Sequence, residues 1–265
     1  FFINIERYLA TKSDAIIAIS EQQRKELVQD FRIAPQSKFR LIPLGLDLDK
    51  FATGSAAKRE SFRKSFGLED NVVAIGIIGR LVPVKNHYLF LKAVKHVLDN
   101  TSKKVKAFII GDGETRADLE AMAQQSGIGF STEKETAHPY PLVFTSWRSD
   151  VDAIMAGLDI VTLTSFNEGT PVSLIEAQAA NKPIVSTRVG GIADVVVEGE
   201  TALLADVPDS QTFADHLLRL VQDDALRHRM GQLGQQQVMQ RFSYQRLMRD
   251  MSALYYELLE KKGKV

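Results

Sequence analysis

Ile160-Val-Thr-Leu-Thr-Ser-Phe-Asn-Glu-Gly-Thr-Pro-Val-Ser-Leu-Ile-Glu-Ala-Gln-Ala-Ala-Asn-Lys-Pro-Ile-Val-Ser-Thr187 is the stretch that decides the fold. Its apolar run 160–163 reads as a buried strand. A polar turn with Gly169 follows, then Thr170 as an expected cap and Pro171 at the expected first helical position. The helix is expected to run to about Ala180, where Asn181-Lys182-Pro183 stops it and Ile184-Val185 starts the next strand. Strand, tight turn, helix and strand form the repeating unit of an open parallel sheet, in which ligands bind at such turns.

Two carboxylates lie in this stretch. Glu168 occupies the turn, at the C-terminal end of the strand. Glu176 lies inside the helix, four residues after Val172, and borders its apolar face. A carboxylate there needs a partner. The backbone amides of Gly169, Thr170 and Val172 point out of the helix start and can receive an anion or sugar hydroxyls. From spacing alone two readings stand: a ligand-binding pair, or a Glu176 paired with a neighbouring cation beside a solvated Glu168.

Composition narrows the classes. Over 265 residues, 45% are apolar, enough for a sizeable core. Lysine plus arginine (33) equals aspartate plus glutamate (33), so no global field attracts nucleic acid. The absence of cysteine rules out disulfides and cysteine-ligated metal and is compatible with a reducing cytoplasm. No apolar run approaches the roughly 20 residues of a membrane span.

Outward from the central stretch, the pattern alternates strands and helices. Before it come a helix over 1–10, a strand over 13–19, a helix over 21–30 capped by Ser20, a strand over 39–42 and a turn-rich passage over 43–51. Asp47 and Asp49 in that passage read as turn and capping residues rather than a metal pair. A short helix is expected over 58–66. Strands follow at 71–78, 105–110 and 142–144, and helices at 87–100 and 116–126. The segment 130–140 reads as polar loop, and Ser149 or Asp150 as the cap of a short helix. Beyond the central stretch, Gly190-Gly191 opens a short helix and 201–204 is a sixth strand. Ser210 caps a helix, and another covers 224–240. The last helix starts at 242–243 and is expected to turn Met248, Met251, Leu254, Tyr255 and Leu258 inward. Six parallel strands with helices on both faces predict a Rossmann-like α/β domain.

The motif Asn-Glu168-Gly-Thr-Pro-Val-Ser-Leu-Ile-Glu176-Ala resembles the signature of the retaining GT-B glycosyltransferases of family 4 (glycosyl transferases group 1). Gly79-Arg80, Lys85-Asn86 and Gly111-Asp-Gly113 lie upstream in that family's order and spacing. The resemblance covers nearly the whole chain. It implies the C-terminal half of a GT-B fold: 1–50 as the tail of an N-terminal Rossmann-like acceptor domain with its linker, 51–241 as the nucleotide-sugar domain, and 242–265 as a helix packing back on the N-terminal domain. The larger part of that acceptor domain, with its own histidine and glycine-rich loop, is expected upstream of Phe1.

By the same resemblance, Arg80 and Lys85 hold the donor diphosphate, Arg as a fork and Lys as a point charge. The protein thereby supplies the positive charge a metal would otherwise bring, and neither metal nor organic cofactor is expected. Glu176 would accept hydrogen bonds from the ribose diol and Glu168 from a donor-sugar hydroxyl. The amides of Gly169, Thr170 and Val172 would meet sugar and phosphate. Gly79, Gly111 and Gly113 would let the backbone approach the nucleotide, and Ser146 and Trp147 would flank the base. Thr170-Pro171 stands where the family often has an aromatic–glycine pair. The five histidines, 87, 96, 138, 216 and 228, show no metal-ligand spacing, and none reads as a base.

The reading is a retaining transfer from a nucleotide-diphosphate sugar, taken as a UDP-sugar, to an acceptor hydroxyl on a glycan, a lipid-linked sugar or a small molecule. Any membrane contact is expected peripherally, through the upstream half. The competing reading is a module that binds a nucleotide sugar and transfers nothing alone. A dinucleotide-dependent oxidoreductase fails on Gly76-Ile-Ile-Gly79-Arg80, which lacks Gly-x-Gly-x-x-Gly. A phosphorylase-like enzyme would need a lysine-bound pyridoxal cofactor, and nothing marks that site.

Overall fold

The computed structural model describes residues 2–133 and 138–264. The chain forms two compact units, Phe1–Leu48 with Val238–Val265, and Asp49–Gln237.

The first unit holds helix α1 (Phe2–Lys12), strand β1 (Ile16–Ala18), helix α2 (Glu21–Lys25, continuing as a π-turn) and strand β2 (Phe39–Leu41). Ser20 caps α2 by accepting from the Gln23 amide. β1 and β2 pair in parallel. The same unit contains the last helix, capped by Ser243 and running Tyr244–Lys261. Arg246 is buried there and donates to the carbonyls of Pro43 (2.8 Å) and Leu44 (2.6 Å). Of the expected inward stripe only Leu254 is buried; Met248 is 62% and Tyr255 60% exposed. A two-stranded sheet offers too little apolar surface to cover that stripe.

The second unit is a seven-stranded, all-parallel sheet, one strand more than expected, in the order β5-β6-β4-β3-β7-β8-β9. Helices α3 (Asp49–Ala52) and α4 (Ser55–Ser65) precede it. Strand β3 (Val73–Ile78) leads through α5 (His87–Asn100) to β4 (Val105–Ile110) and α6 (Arg116–Gln125). β5 (Phe130–Thr132) and β6 (Leu142–Phe144) complete that side. The chain then crosses through α7 (Val151–Gly157) to β7 (Ile160–Leu163), on the other side of β3. α8 (Val172–Ala179), β8 (Ile184–Thr187), β9 (Ala202–Ala205), α9 (Ser210–Gln222) and α10 (Asp224–Phe242) follow.

The unpredicted strand is β5. Three residues of Phe-Ser-Thr give no apolar run to detect. Pairing comes from its neighbour: Ser131 aligns with Val143, and Phe130 packs edge-on against Phe144 at 5.2 Å between ring centroids. The remainder of that predicted loop falls partly at 134–137, outside the described residues.

β3 shows why the sheet is central. Ile75 and Ile77 face a core shared with Phe90, Val94, Leu119, Phe213 and Leu217. On the other face Phe108 of β4 meets Phe62 and Phe66 at 5.4 and 5.1 Å. Both faces are covered, so the strands read as continuous apolar runs. Two caps differ from expectation. α9 is capped by Asp209, which accepts from the Thr212 amide, rather than by Ser210. Asp150 precedes α7 without a side-chain cap bond because Arg148 takes both its carboxylate oxygens, at 2.9 and 2.5 Å. Among the described residues no helix is long and apolar enough to cross a membrane.

Candidate functional site

β3 and β7 are neighbours, while the chain leaves β3 towards β4 on the opposite side. The loops from their C-terminal ends therefore border the topological switch point, where open parallel sheets present a crevice. These are 79–86 after β3 and 164–171 after β7.

The first loop is laced to its neighbour after β4. The Gly79 amide donates to the Ile110 carbonyl (3.0 Å), Leu81 N to Asp112 O (2.9 Å) and Thr115 N to Leu81 O (3.0 Å). Gly111 has φ +136°, and a Cβ there would stand 2.0 Å from the Gly79 carbonyl oxygen. Only glycine fits, so the Gly111-Asp-Gly113 signal is a packing requirement of two adjoining loops. Arg80 projects from this loop exposed, and no described carboxylate pairs with it. A short 3₁₀ turn, Pro83–Lys85, closes on Asn86, whose left-handed φ of 50° starts α5.

Lys85 lies in the loop expected for it, but its charge is already engaged. Its Nζ pairs with Glu168 Oε1 at 2.6 Å, across 83 positions of sequence. Ser165, fully buried, donates its hydroxyl to the same oxygen at 2.5 Å. The two loops are tied further by Thr164 Oγ1 to Lys85 O (2.8 Å) and Phe166 N to Val84 O (2.8 Å). The turn is also clamped from β8's side. The Gly191 amide donates to Glu168 O at 3.1 Å, and a Cβ on Gly190 (φ +50°) would stand 1.9 Å from that oxygen. The glycine pair, a weak signal in the sequence, fixes the backbone that carries Glu168.

α8 starts one residue later than expected. Pro171 is its N-cap, in extended conformation and without a side-chain cap bond. Thr170 is not the cap: its Oγ1 is buried without a partner. Proline lacks the hydroxyl that a cap supplies, so the first-turn donors stay open. No hydrogen bond among the described residues uses the amides of Gly169, Thr170, Val172 or Ser173. Glu176 follows on α8, half-buried, with no described hydrogen-bond or ion-pair partner for its carboxylate. Burial raises its pKa from the ordinary glutamate value, against the pull of Lys50. Neither half of the second sequence reading holds: Glu176 has no paired cation among the described residues, and Glu168 is 11% exposed and paired with Lys85 rather than solvated.

At the β4–β6 side, Ser146 donates Oγ to Asp112 Oδ2 (3.1 Å) and its amide to Glu133 Oε2 (3.1 Å). Arg148 fixes Glu133 at 2.5 Å. The Ser146 amide, read from sequence as a base contact, is therefore occupied by a carboxylate. Trp147 is 62% exposed and stands at the surface.

Three participants escaped the sequence reading. Ser165 could have been suspected as a hydroxyl three residues before a carboxylate. Glu133 and Lys50 gave no local signal. His87, read from sequence as neither metal ligand nor base, is 2% exposed, with neither ring nitrogen partnered. Burial, helped by Lys85, lowers its pKa to about 4, so it is neutral at physiological pH. Among the described residues no group of three or more His, Cys, Asp or Glu could hold a metal ion.

Comparison with known proteins places the chain in a family. Residues 58–237 match the family described as glycosyl transferases group 1. The D-inositol 3-phosphate glycosyltransferase of Corynebacterium jeikeium (strain K411) is 30% identical over 259 residues, 96% of this chain and 59% of that protein. An Escherichia coli protein is 27% identical, with 84% of this chain and 55% of that protein covered. Its name is UDP-Gal:alpha-D-GlcNAc-diphosphoundecaprenol alpha-1,3-galactosyltransferase. The crystal structure of Anabaena HepE in complex with UDP superposes with a TM-score of 0.83 at 20% identity, over 96% of this chain and 67% of that one. The chain thus spans less than two thirds of the length of these curated relatives.

Proposed function

The chain belongs to the glycosyl transferases group 1 family, with the C-terminal half of a GT-B fold, and from that premise we propose that it carries the donor site of a retaining, metal-independent glycosyltransferase. The donor is a nucleotide-diphosphate sugar, taken as a UDP-sugar. One observation carries the reading. An unpaired Arg80, the Lys85–Glu168 pair and open amides lie on the two loops at the topological switch point, and two further open amides and an unpartnered Glu176 lie on the helix that follows the second loop.

Each group suits one part of such a donor. Arg80 and Lys85 offer cationic donors to the diphosphate, and the amides of Gly169, Thr170, Val172 and Ser173 add directed ones. Glu176, with both oxygens free to accept, suits the ribose diol, and Glu168 suits a sugar hydroxyl. In transfer, the bond from the anomeric carbon to the diphosphate oxygen breaks. The acceptor oxygen bonds to that carbon on the same face and releases its proton. Cations and amides positioned in advance stabilise the charge on the leaving diphosphate without reorganising. HepE, solved with UDP, and the relative named for UDP-Gal support uridine as the base. The acceptor is a hydroxyl on a glycan, a lipid-linked sugar or a small molecule. The relatives' activities belong to proteins of which this chain spans 55–59%, so the chain alone is proposed to bind donor and transfer nothing.

Calorimetry of this chain with UDP and GDP, beside a transfer assay with UDP-glucose, tests the reading. Binding of a nucleoside diphosphate with no turnover is expected. Failure to bind any nucleoside diphosphate would remove the donor-site reading. Transfer at the rate of an intact enzyme would remove the division of labour. The same transfer assay on the full-length protein with EDTA checks metal independence, which complete loss of activity would contradict.

A further inference from the structure

Glu168 and Lys85 face each other across the loops after β7 and β3, and this changes what each can do for a ligand. Glu168 Oε1 already accepts from Lys85 Nζ (2.6 Å) and from Ser165 Oγ (2.5 Å). The side chains are only 11% and 24% exposed, so the contact is largely withdrawn from water. It is also held in place, because hydrogen bonds join the two loops and the Gly190-Gly191 pair clamps the Glu168 backbone. Among the described residues neither Lys85 Nζ nor the second carboxylate oxygen has another partner.

We propose that this pair makes the site discriminate between a sugar-bearing nucleotide and the bare nucleoside diphosphate, because Glu168 and the diphosphate compete for Lys85. The inference rests on the donor-site reading above. A bare diphosphate that draws Lys85 away leaves Glu168 with the Ser165 hydroxyl alone, a carboxylate shielded from water and facing added negative charge. A nucleotide sugar also draws Lys85, but its hydroxyls can donate to the vacated oxygen. The pair therefore weakens retention of the product more than binding of the donor. Ser165 is a positioning residue: fully buried, it touches no ligand and acts only through Glu168.

The test is calorimetry of this chain with UDP and UDP-glucose, and in parallel GDP and GDP-mannose, on wild type, Glu168→Gln, Ser165→Ala, Lys85→Met and the Lys85→Met/Glu168→Gln double variant. Glu168→Gln removes the competing charge and should bind the bare diphosphate roughly three- to tenfold tighter while the sugar nucleotide gains nothing. Ser165→Ala should move the other way and weaken the bare diphosphate, because Glu168 then depends on Lys85 alone. In the Lys85→Met background the gain from Glu168→Gln should shrink, because only the direct repulsion of the diphosphate is then left to relieve, a non-additivity that a merely structural role would not produce. Unchanged or weaker diphosphate binding by a folded Glu168→Gln, or an equal gain in both Lys85 backgrounds, would overturn the proposal and leave the donor site standing. If Glu168→Gln does not fold, tighter or unchanged diphosphate binding by Ser165→Ala overturns it. If wild type binds neither diphosphate, the donor-site reading falls and takes this inference with it.

Discussion

Arg80 and Lys85 are both cations of the β3 loop, yet the structure predicts that deleting them gives different results. Arg80 is exposed and pairs with no described carboxylate, so Arg80→Ala removes nothing that holds the fold. Its stability should stay within about 0.5 kcal/mol of wild type. The diphosphate contact proposed for it would be charge-assisted, worth roughly 1.5–3 kcal/mol, or about ten- to a hundredfold in UDP affinity. Uridine lacks the phosphates and should bind unchanged. Lys85→Ala strands Glu168, which is 11% exposed and keeps only Ser165. Because the pair is partly solvated, the cost should be about 1–2 kcal/mol rather than the larger value of a fully buried pair. For a unit of this size that is a fall in Tm of roughly 2–8 °C. Thermal melts by circular dichroism, with calorimetry against uridine and UDP, separate the cases. Equal losses for uridine and UDP in a folded Arg80→Ala would refute the phosphate assignment. A Lys85→Ala protein as stable as wild type would refute the energetic weight given to the pair.

Two other outcomes follow from buried groups. His87 has a folded pKa of about 4 against 6.5, so the unfolded chain binds its proton more readily between those values. The stability is fully present above pH 6.5 and lost as pH falls through about 4, a change of about 3 kcal/mol; His87→Phe should flatten that part of a pH–denaturation profile. Glu176→Ala should weaken uridine and UDP by a similar factor, about tenfold, if it holds the ribose as proposed, and calorimetry showing no change for either would return Glu176 to a role in the fold alone.

The central stretch was legible because its signals are local. An apolar run, a glycine turn, a proline and an asparagine–lysine–proline stop each act within a few residues, and β7, α8 and β8 lie close to where they place them. The α8 cap was misassigned by one residue for a physical reason. Thr170 has cap chemistry, but the backbone makes Pro171 the first extended residue before the helix, and the Thr170 hydroxyl is buried without a partner. β5 was missed because its pairing with β6 supplies what its own composition does not. The exposed face of the last helix was read as core because periodicity reports a stripe and not what covers it.

The charge state of the crevice was the least legible feature, and it bears on mechanism. Sequence spacing turns each charged residue towards a ligand, whereas the fold first turns two of them towards each other, 83 positions apart. Lys85 is matched by Glu168, and the positive field of Lys50 favours the Glu176 carboxylate, which leaves Arg80 with no described carboxylate beside it. A crevice so nearly balanced steers an anion weakly from a distance. On the proposed donor-site reading, selectivity for a diphosphate would then come from contacts made on arrival: the Arg80 fork, the open amides before and at the start of α8, and the exchange of Lys85 from carboxylate to phosphate. Amide contacts depend on direction and hold a leaving group as well as a bound donor, while the exchange leaves Glu168 free to accept from a sugar. Salt should therefore weaken donor binding less than it would in a site with two free cations, because one of the two charges is screened by its own protein partner before any ion arrives.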